Sequence, residues 1–289
     1  LEARHGRPLC KVRGKRREAG FAIIAYGKLG GYELGYGSDL DVVFLHDSSG
    51  DEQQTSGPRV LANGEFFTRL SQRIIHILNT FTSGGILYEV DMRLRPNGAS
   101  GMLVSSLEAF EEYQRGSAWT WENQALVRAR VVCGNEDLAH HFRRIRAGVL
   151  ARPRTPGELR GEVVEMRERM RQELDKSRGD QVDLKQGRGG IVDVEFMVQC
   201  GVLLWSDAQA DLLDFTDNLN LLDAFARHGL LPGEDVRLLA EAYCAIRQRI
   251  NHLALQEKPP LTGKADLAVY REAVARIWDS FMEQPGAGT

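Results

Sequence analysis

The stretch Tyr36-Gly-Ser-Asp-Leu-Asp-Val-Val-Phe44 sets two carboxylates two residues apart in a run of β-favouring apolar residues. On a strand, residues i and i+2 share a face, so Asp39 and Asp41 point together while Leu40, Val42 and Phe44 turn to a core. Adjacent carboxylates repel and raise each other's pKa. A hard cation such as Mg²⁺ or Mn²⁺ relieves that repulsion, and an all-oxygen donor set suits it. A lone D-x-D also fits two solvated acids at a strand edge, so its neighbours decide how it is read.

Those neighbours are informative. The run Glu89-Val-Asp-Met-Arg-Leu-Arg95 reads as a strand with Asp91, Arg93 and Arg95 on one face and Val90, Met92 and Leu94 on the other. A third carboxylate beside two arginines is what a metal–triphosphate site requires: acids hold the cations and guanidinium groups neutralise phosphate oxygens. A cross-strand salt-bridge ladder gives the same pattern, but it has no need of a glycine-rich turn. Such a turn is present at Gly27-Lys-Leu-Gly-Gly31, after an apolar strand. Glycines let phosphate approach a backbone closely, and Lys28 adds a point charge. The spacing fits neither a Walker A loop nor G-x-G-x-x-G.

The elements that must position these groups follow from periodicity. Apolar runs predict strands over 21–26, 40–45 and 86–95, with a short helical piece after the glycine turn to Leu34 and a loop over 46–60. Apolar residues at spacings of three and four predict a helix over 62–81, stopped by Ser83-Gly-Gly85. Beyond Pro96 the pattern is helical. A capping box at Ser105 and Glu108 opens one helix, and others are expected over 117–132, 137–149, 158–176, 191–206, 218–228, 234–255 and 267–282. The basic residues 1–20 read as a linker or solvated extension. The expected class is α+β: a nucleotide-handling α/β unit over 21–104, then an all-α helical domain over 105–289.

Composition narrows the classes. The 289 residues are 43% hydrophobic and 27% charged, enough for a sizeable core. Net charge is −3, from 37 basic and 40 acidic residues, which disfavours a protein that holds nucleic acid by bulk charge. Glycine is in excess, at 30 against nine prolines. The four cysteines are dispersed, with no CxxC, as in a reduced, cytoplasmic protein. No apolar run reaches membrane-spanning length, and no signal peptide is evident. The chain starts at Leu1 rather than Met, which points to a piece of a longer protein.

The order of glycine turn, D-h-D strand and later Asp resembles the DNA polymerase beta nucleotidyltransferase superfamily, although Lys28 stands where that superfamily usually has Ser or Gly. Within it, four stretches resemble the glutamine synthetase adenylyltransferase family: Ala25–Asp41, Asp91–Gly101, Trp119–Arg130 and Asp183–Phe196. The resemblance implies a polymerase beta-like catalytic unit followed by a helical bundle. It implies that Asp39, Asp41 and Asp91 bind Mg²⁺ or Mn²⁺, with Asp91 placed to take the proton of an attacking hydroxyl. Gly27, Lys28 and Ser38 would contact the triphosphate of ATP. Arg93 and Arg95 would contact phosphate or the acceptor, and Asn97 and Ser100 the ribose or base. Lys185 and Arg188, in the second glycine cluster, would line the cleft.

The family's full-length enzyme carries two such units. One attaches AMP to a tyrosine of glutamine synthetase, and the other removes it by phosphorolysis. Gly37 and Ser38 side with the adenylylating, C-terminal unit. The reverse, adenylyl-removing unit and a catalytically silent regulatory module are the alternatives; the intact acid triad weighs against the second. A nucleic-acid nucleotidyltransferase is disfavoured by charge. The resemblance also implies control by a PII signal protein and by glutamine.

Overall fold

A computed structural model describes residues 1–85 and 88–283. The chain divides into two compact units, Leu1–Leu34 with Ser38–Val149, and Gly35–Gly37 with Leu150–Thr289.

In the first unit the order is α1 (Glu2–His5), β1 (Pro8–Val12), β2 (Lys15–Glu18), β3 (Phe21–Ala25), α2 (Gly27–Gly30), β4 (Leu40–His46), β5 (Asp51–Thr55), α3 (Asn63–Leu78) and β6 (Val90–Asp91). It continues through β7 (Val104–Ser106), α4 (Leu107–Gly116), α5 (Thr120–Val127), β8 (Arg130–Gly134) and α6 (Glu136–Leu150). The main sheet runs β6-β4-β3-β8, with β7 also paired to β4. Strands β3 and β4 are antiparallel with Ala25 opposite Val42, whereas β6 and β7 both run parallel to β4. Val42 to His46 are all buried, so β4 is covered on both faces beyond Asp41. The alternation expected along this strand is therefore not seen: Leu40 and Asp41 are both half-buried, and Asp39 stands just before the strand.

Residues 1–20 are not a solvated linker. Strands β1 and β2 form a second sheet with β5, in the order β2-β1-β5, and Cys10 is fully buried in a core with Val42, Phe44, Phe66 and Phe67. The basic residues lie on strand faces that meet acids: Lys11 and Arg16 reach Glu52, and Arg17 pairs with Asp47 at 2.7 Å. The charge run masked a period-two strand pattern, and β5 is the strand hidden in the expected 46–60 loop. Strand β8 likewise replaces the end of the helix expected over 117–132.

The strand expected over 86–95 is also shorter. Ile86 and Leu87 lie outside the described residues, and β6 ends at Asp91. Asp91 stops it by accepting the Arg93 backbone N–H at 2.8 Å, an Asx turn that bends the chain away. Asn97 and Gly98 follow with φ of 60° and 56°. Arg93 and Arg95 therefore do not share a strand face with Asp91.

The second unit comprises α7 (Pro156–Leu174), β9 (Gln181–Asp183), α8 (Ile191–Trp205), α9 (Asn218–Arg227), α10 (Gly233–Leu255), β10 (Leu261–Gly263) and α11 (Ala268–Glu283). Strands β9 and β10 pair antiparallel. The expected helices from residue 158 onward all form, within a few residues of their expected limits. The division between units falls at 149/150 rather than 104/105, because α4–α6 and β7–β8 pack with the first unit's sheet. Helix α4 is capped by Ser106, whose hydroxyl accepts from Ala109 N–H, one residue beyond the expected cap. Among the described residues, no helix is long and apolar enough to cross a membrane. All four cysteines are free.

Candidate active site

Strand β4 and the glycine turn build the site from opposite directions. Tyr26 N–H donates to the Asp41 carbonyl at 2.9 Å, closing the β3–β4 pair just before the turn. Gly27 then takes φ 51°, and a Cβ there would collide with the Asp41 carboxylate. Only glycine fits so close to that acid in a left-handed conformation. Behind the turn, a Cβ on Gly30 would meet the Arg128 carbonyl.

The acids gather at the start of β4. Asp41 lies opposite Asp91 in the parallel β4–β6 register, and Asp39 precedes β4 on an exposed position. Burial, then the Asp91 and Asp39 charges, push the Asp41 carboxyl up to about 6, while Arg93 and Lys28 pull the other way. That is the electrostatic mark of acids held closer than they would choose. Asp91 behaves oppositely. The Arg93 side chain hydrogen-bonds it and holds its carboxyl below the usual range, against a desolvation that works upward.

Arg93 engages both Asp91 oxygens. Its Nε lies 3.1 Å from Oδ1 and 2.8 Å from Oδ2, Nη2 also donates to Oδ2, and the backbone N–H adds the bond to Oδ1. Among the described residues, no three acids, histidines or cysteines converge tightly enough to hold a metal ion. The donor chemistry nevertheless fits a hard cation: three carboxylates, one of them raised by burial and then by its neighbours, beside a cradle that a Cβ would fill.

Arg95 spends its fork on backbone. It donates to the carbonyls of Met92 at 2.9 Å, Ala99 at 2.9 Å and Gly101 at 3.3 Å, and so brackets the turn after β6. Within that turn Ser100 Oγ donates to the Asn97 carbonyl at 2.8 Å. The Tyr113 hydroxyl of α4 donates to Glu122 at 2.8 Å. Ser38 is buried and Lys28 half-buried beside the acids.

Sequence reasoning assigned no role to Arg128 or Arg130. Arg128 forms a buried ion pair with Glu33. Arg130 donates to the carbonyls of Gly30 at 2.9 Å and Leu29 at 3.0 Å, and its guanidinium stacks 3.7 Å from the Tyr32 ring centre. Together they pin the glycine turn from behind. The available signal was Arg-Ala-Arg, whose i,i+2 spacing sends both side chains to one face once the segment is read as extended.

Lys185 and Arg188 belong to the second unit and are exposed; Arg188 pairs with Asp279 at 2.5 Å. The glycine cluster around them is tied down by buried acids. Asp183 accepts from the backbone N–H of Lys185 and Gln186, and Asp193 from Gly189 N–H at 2.7 Å. Asp193 also receives Arg167 at 2.7 Å and Arg171 at 3.2 Å. The acid at the start of α8 is thus a buried anchor.

Residues 1–145 match the family model for glutamate-ammonia ligase adenylyltransferase, and residues 158–261 match that for GlnD PII-uridylyltransferase. The chain is 53% identical over 284 residues to a bifunctional glutamine synthetase adenylyltransferase/adenylyl-removing enzyme of Thioalkalivibrio sulfidiphilus, covering 98% of this chain and 29% of that protein. Proteins of the same description from Nitrosococcus oceani and Pseudomonas aeruginosa are each 50% identical, over 99% and 96% of this chain and 30% and 29% of their own. The chain therefore spans less than a third of the length of these relatives. It belongs to the glutamate-ammonia ligase adenylyltransferase family.

Proposed function

We propose that the chain is the catalytic portion of an adenylyltransferase that moves AMP from ATP to a tyrosine of glutamine synthetase, releasing pyrophosphate. The observation that carries this reading is the pairing of Asp41 with Asp91 across the β4–β6 edge, with Asp39 just before β4 and the Gly27 backbone pressed against Asp41.

In this reading Asp39, Asp41 and Asp91 hold divalent metal, Mg²⁺ or Mn²⁺. When bound, the metal neutralises phosphate charge and eases deprotonation of a hydroxyl whose pKa is near 10. The close-packed backbone at Gly27, with Lys28 and Ser38, receives the triphosphate. Arg128 and Arg130 keep that turn in one geometry, which is where positioning contributes to rate. Arg93, with its exposed guanidinium, neutralises phosphate oxygens, and Asp91 takes the hydroxyl proton. Asn97 and Ser100 stand in a braced turn suited to ribose or base. Arg95 acts through that turn. Relatives of this description are bifunctional, so phosphorolytic removal of AMP is the second reading. The protein acts in the cytoplasm, under control by PII and glutamine.

The test is incubation with α-labelled ATP, Mg²⁺ and glutamine synthetase. Label transferred to the acceptor without added phosphate supports the forward reading. Label removed from adenylylated acceptor only when phosphate is present overturns it in favour of the reverse.

A further inference from the structure

We infer that Arg93 masks Asp91 until a triphosphate draws it away, so that nucleotide binding completes the acid cluster. The inference rests on the nucleotidyltransferase reading above and adds to it an order of assembly.

Both oxygens of Asp91 accept from Arg93: Oδ1 from the backbone N–H at 2.8 Å and Nε at 3.1 Å, and Oδ2 from Nε at 2.8 Å and from Nη2. A carboxylate so engaged has little capacity left for a cation. The two kinds of bond differ in permanence. The backbone N–H belongs to the Asx turn that ends β6, and it keeps Oδ1 oriented whatever the side chain does. The guanidinium is 79% exposed, so no packing holds it in place. The carboxylate is 15% exposed, so the pair is open to solvent and screened on its arginine side only. Turning Arg93 outward therefore frees Oδ2 without disturbing the strand.

A triphosphate is the kind of ligand that would turn it. Arg–phosphate pairs are bidentate like Arg–carboxylate pairs, and a polyphosphate offers several such edges and more charge. The approach of phosphate to the glycine turn brings that charge to the acid cluster, because Gly27 abuts Asp41 and Asp41 lies opposite Asp91. Arg93 then stands in for the cation on Asp91 before the nucleotide arrives and serves the phosphates afterwards. By linkage, nucleotide must tighten metal binding, and metal nucleotide binding, by the same factor.

The experiment measures Mn²⁺ affinity of the 289-residue chain without nucleotide, by the loss of the free-ion paramagnetic resonance signal. Arg93→Gln should tighten Mn²⁺ roughly three- to tenfold, as expected for removing one charge-assisted partner that is screened on one side. That gain should vanish when Asp91→Asn is added, because Asp91 is the group unmasked. Asp91→Asn alone should leave the affinity near that of the unaltered chain. The inference is overturned if Arg93→Gln gives no gain. It is equally overturned if the gain survives in the double variant, since it would then come from removing a positive charge anywhere near the cluster. Asp39→Asn separates the two levels. If it leaves Mn²⁺ affinity unchanged, the acids are not the metal site and the underlying reading falls with the mask. If it abolishes binding while Arg93→Gln changes nothing, the reading stands and only the mask is lost.

Discussion

The two units each contain aspartates beside arginines and a glycine-rich turn, yet they solve opposite problems. In the second unit, Asp193 is buried and fully occupied: Arg167 and Arg171 meet it, and Gly189 N–H completes its shell. Arg167, fully buried itself, also donates to the side chain and carbonyl of Gln186, so the loop before α8 is locked. In the first unit, three acids share one exposed-to-half-buried edge, and Asp41 is forced up to about 6. A closed network of this chemistry holds a fold together. An open one stores electrostatic strain that a ligand can relieve. Residue types alone do not separate the two cases; burial does, since Asp193 and Arg167 are both buried whereas Asp39 and the Arg93 guanidinium are exposed.

The sharpest way to break this contrast is in the open cluster. Asp39→Asn should lower AMP transfer at least ~10³-fold, equivalent to about 4 kcal/mol of activation free energy, with the fold retained. The measurement is initial rate together with circular dichroism. Surviving activity would place the chemistry elsewhere. In the closed cluster the effect moves from rate to stability. Asp193→Ala strands a fully buried guanidinium, and breaking a buried pair this way costs about 3–5 kcal/mol. Denaturant unfolding should show that loss in the second unit, and a loss below ~1 kcal/mol would mean that Asp193 is not the anchor.

The contrast also explains what the sequence made legible. Strands β3 and β4 and the turn between them were readable because Phe21–Tyr26 and Leu40–Leu45 are apolar runs and Gly27 ends the first, although Asp39 stands just before β4 rather than in it. The helices of the second unit were readable from their 3.6 period. What stayed hidden depended on partners distant in the chain. Cys10 is core only because β5 and α3 cover it, which a basic run of twenty residues does not disclose. The shortness of β6 depends on one side-chain bond from Asp91 to the Arg93 backbone, a local alternative to the ladder. The domain boundary moved because β8 returns to pair with β3, and nothing local marks that pairing.

A pH titration sharpens the open half of the comparison. Asp41 has its folded pKa raised above the usual carboxylate value, so its ionised form opposes folding. The sign follows: stability is higher while Asp41 is protonated and falls as pH rises through the interval from about 3.8 to about 6. Asp41→Asn removes that penalty and should stabilise the first unit by at most about 3 kcal/mol above pH 6. The advantage should shrink steadily as pH drops towards 4. A site residue whose removal stabilises the protein is what stored strain predicts. Equal stabilities of the two chains across this range would show that the cluster is relaxed as it stands.

The smallest effect tests where the closed network ends. Arg188 follows directly on the locked loop of the second unit, but its own partner, Asp279, lies at the surface. Their side chains are 57% and 42% exposed, so solvent screens the pair despite its 2.5 Å separation. Pairs of this kind contribute about 0–1 kcal/mol. Arg188→Ala should therefore leave denaturant unfolding within ~1 kcal/mol of the unaltered chain, against the several lost at Asp193. A larger loss would extend the anchor outward through Arg188. A small loss would divide the loop: its buried acids hold it still, and its exposed arginine adds little to stability.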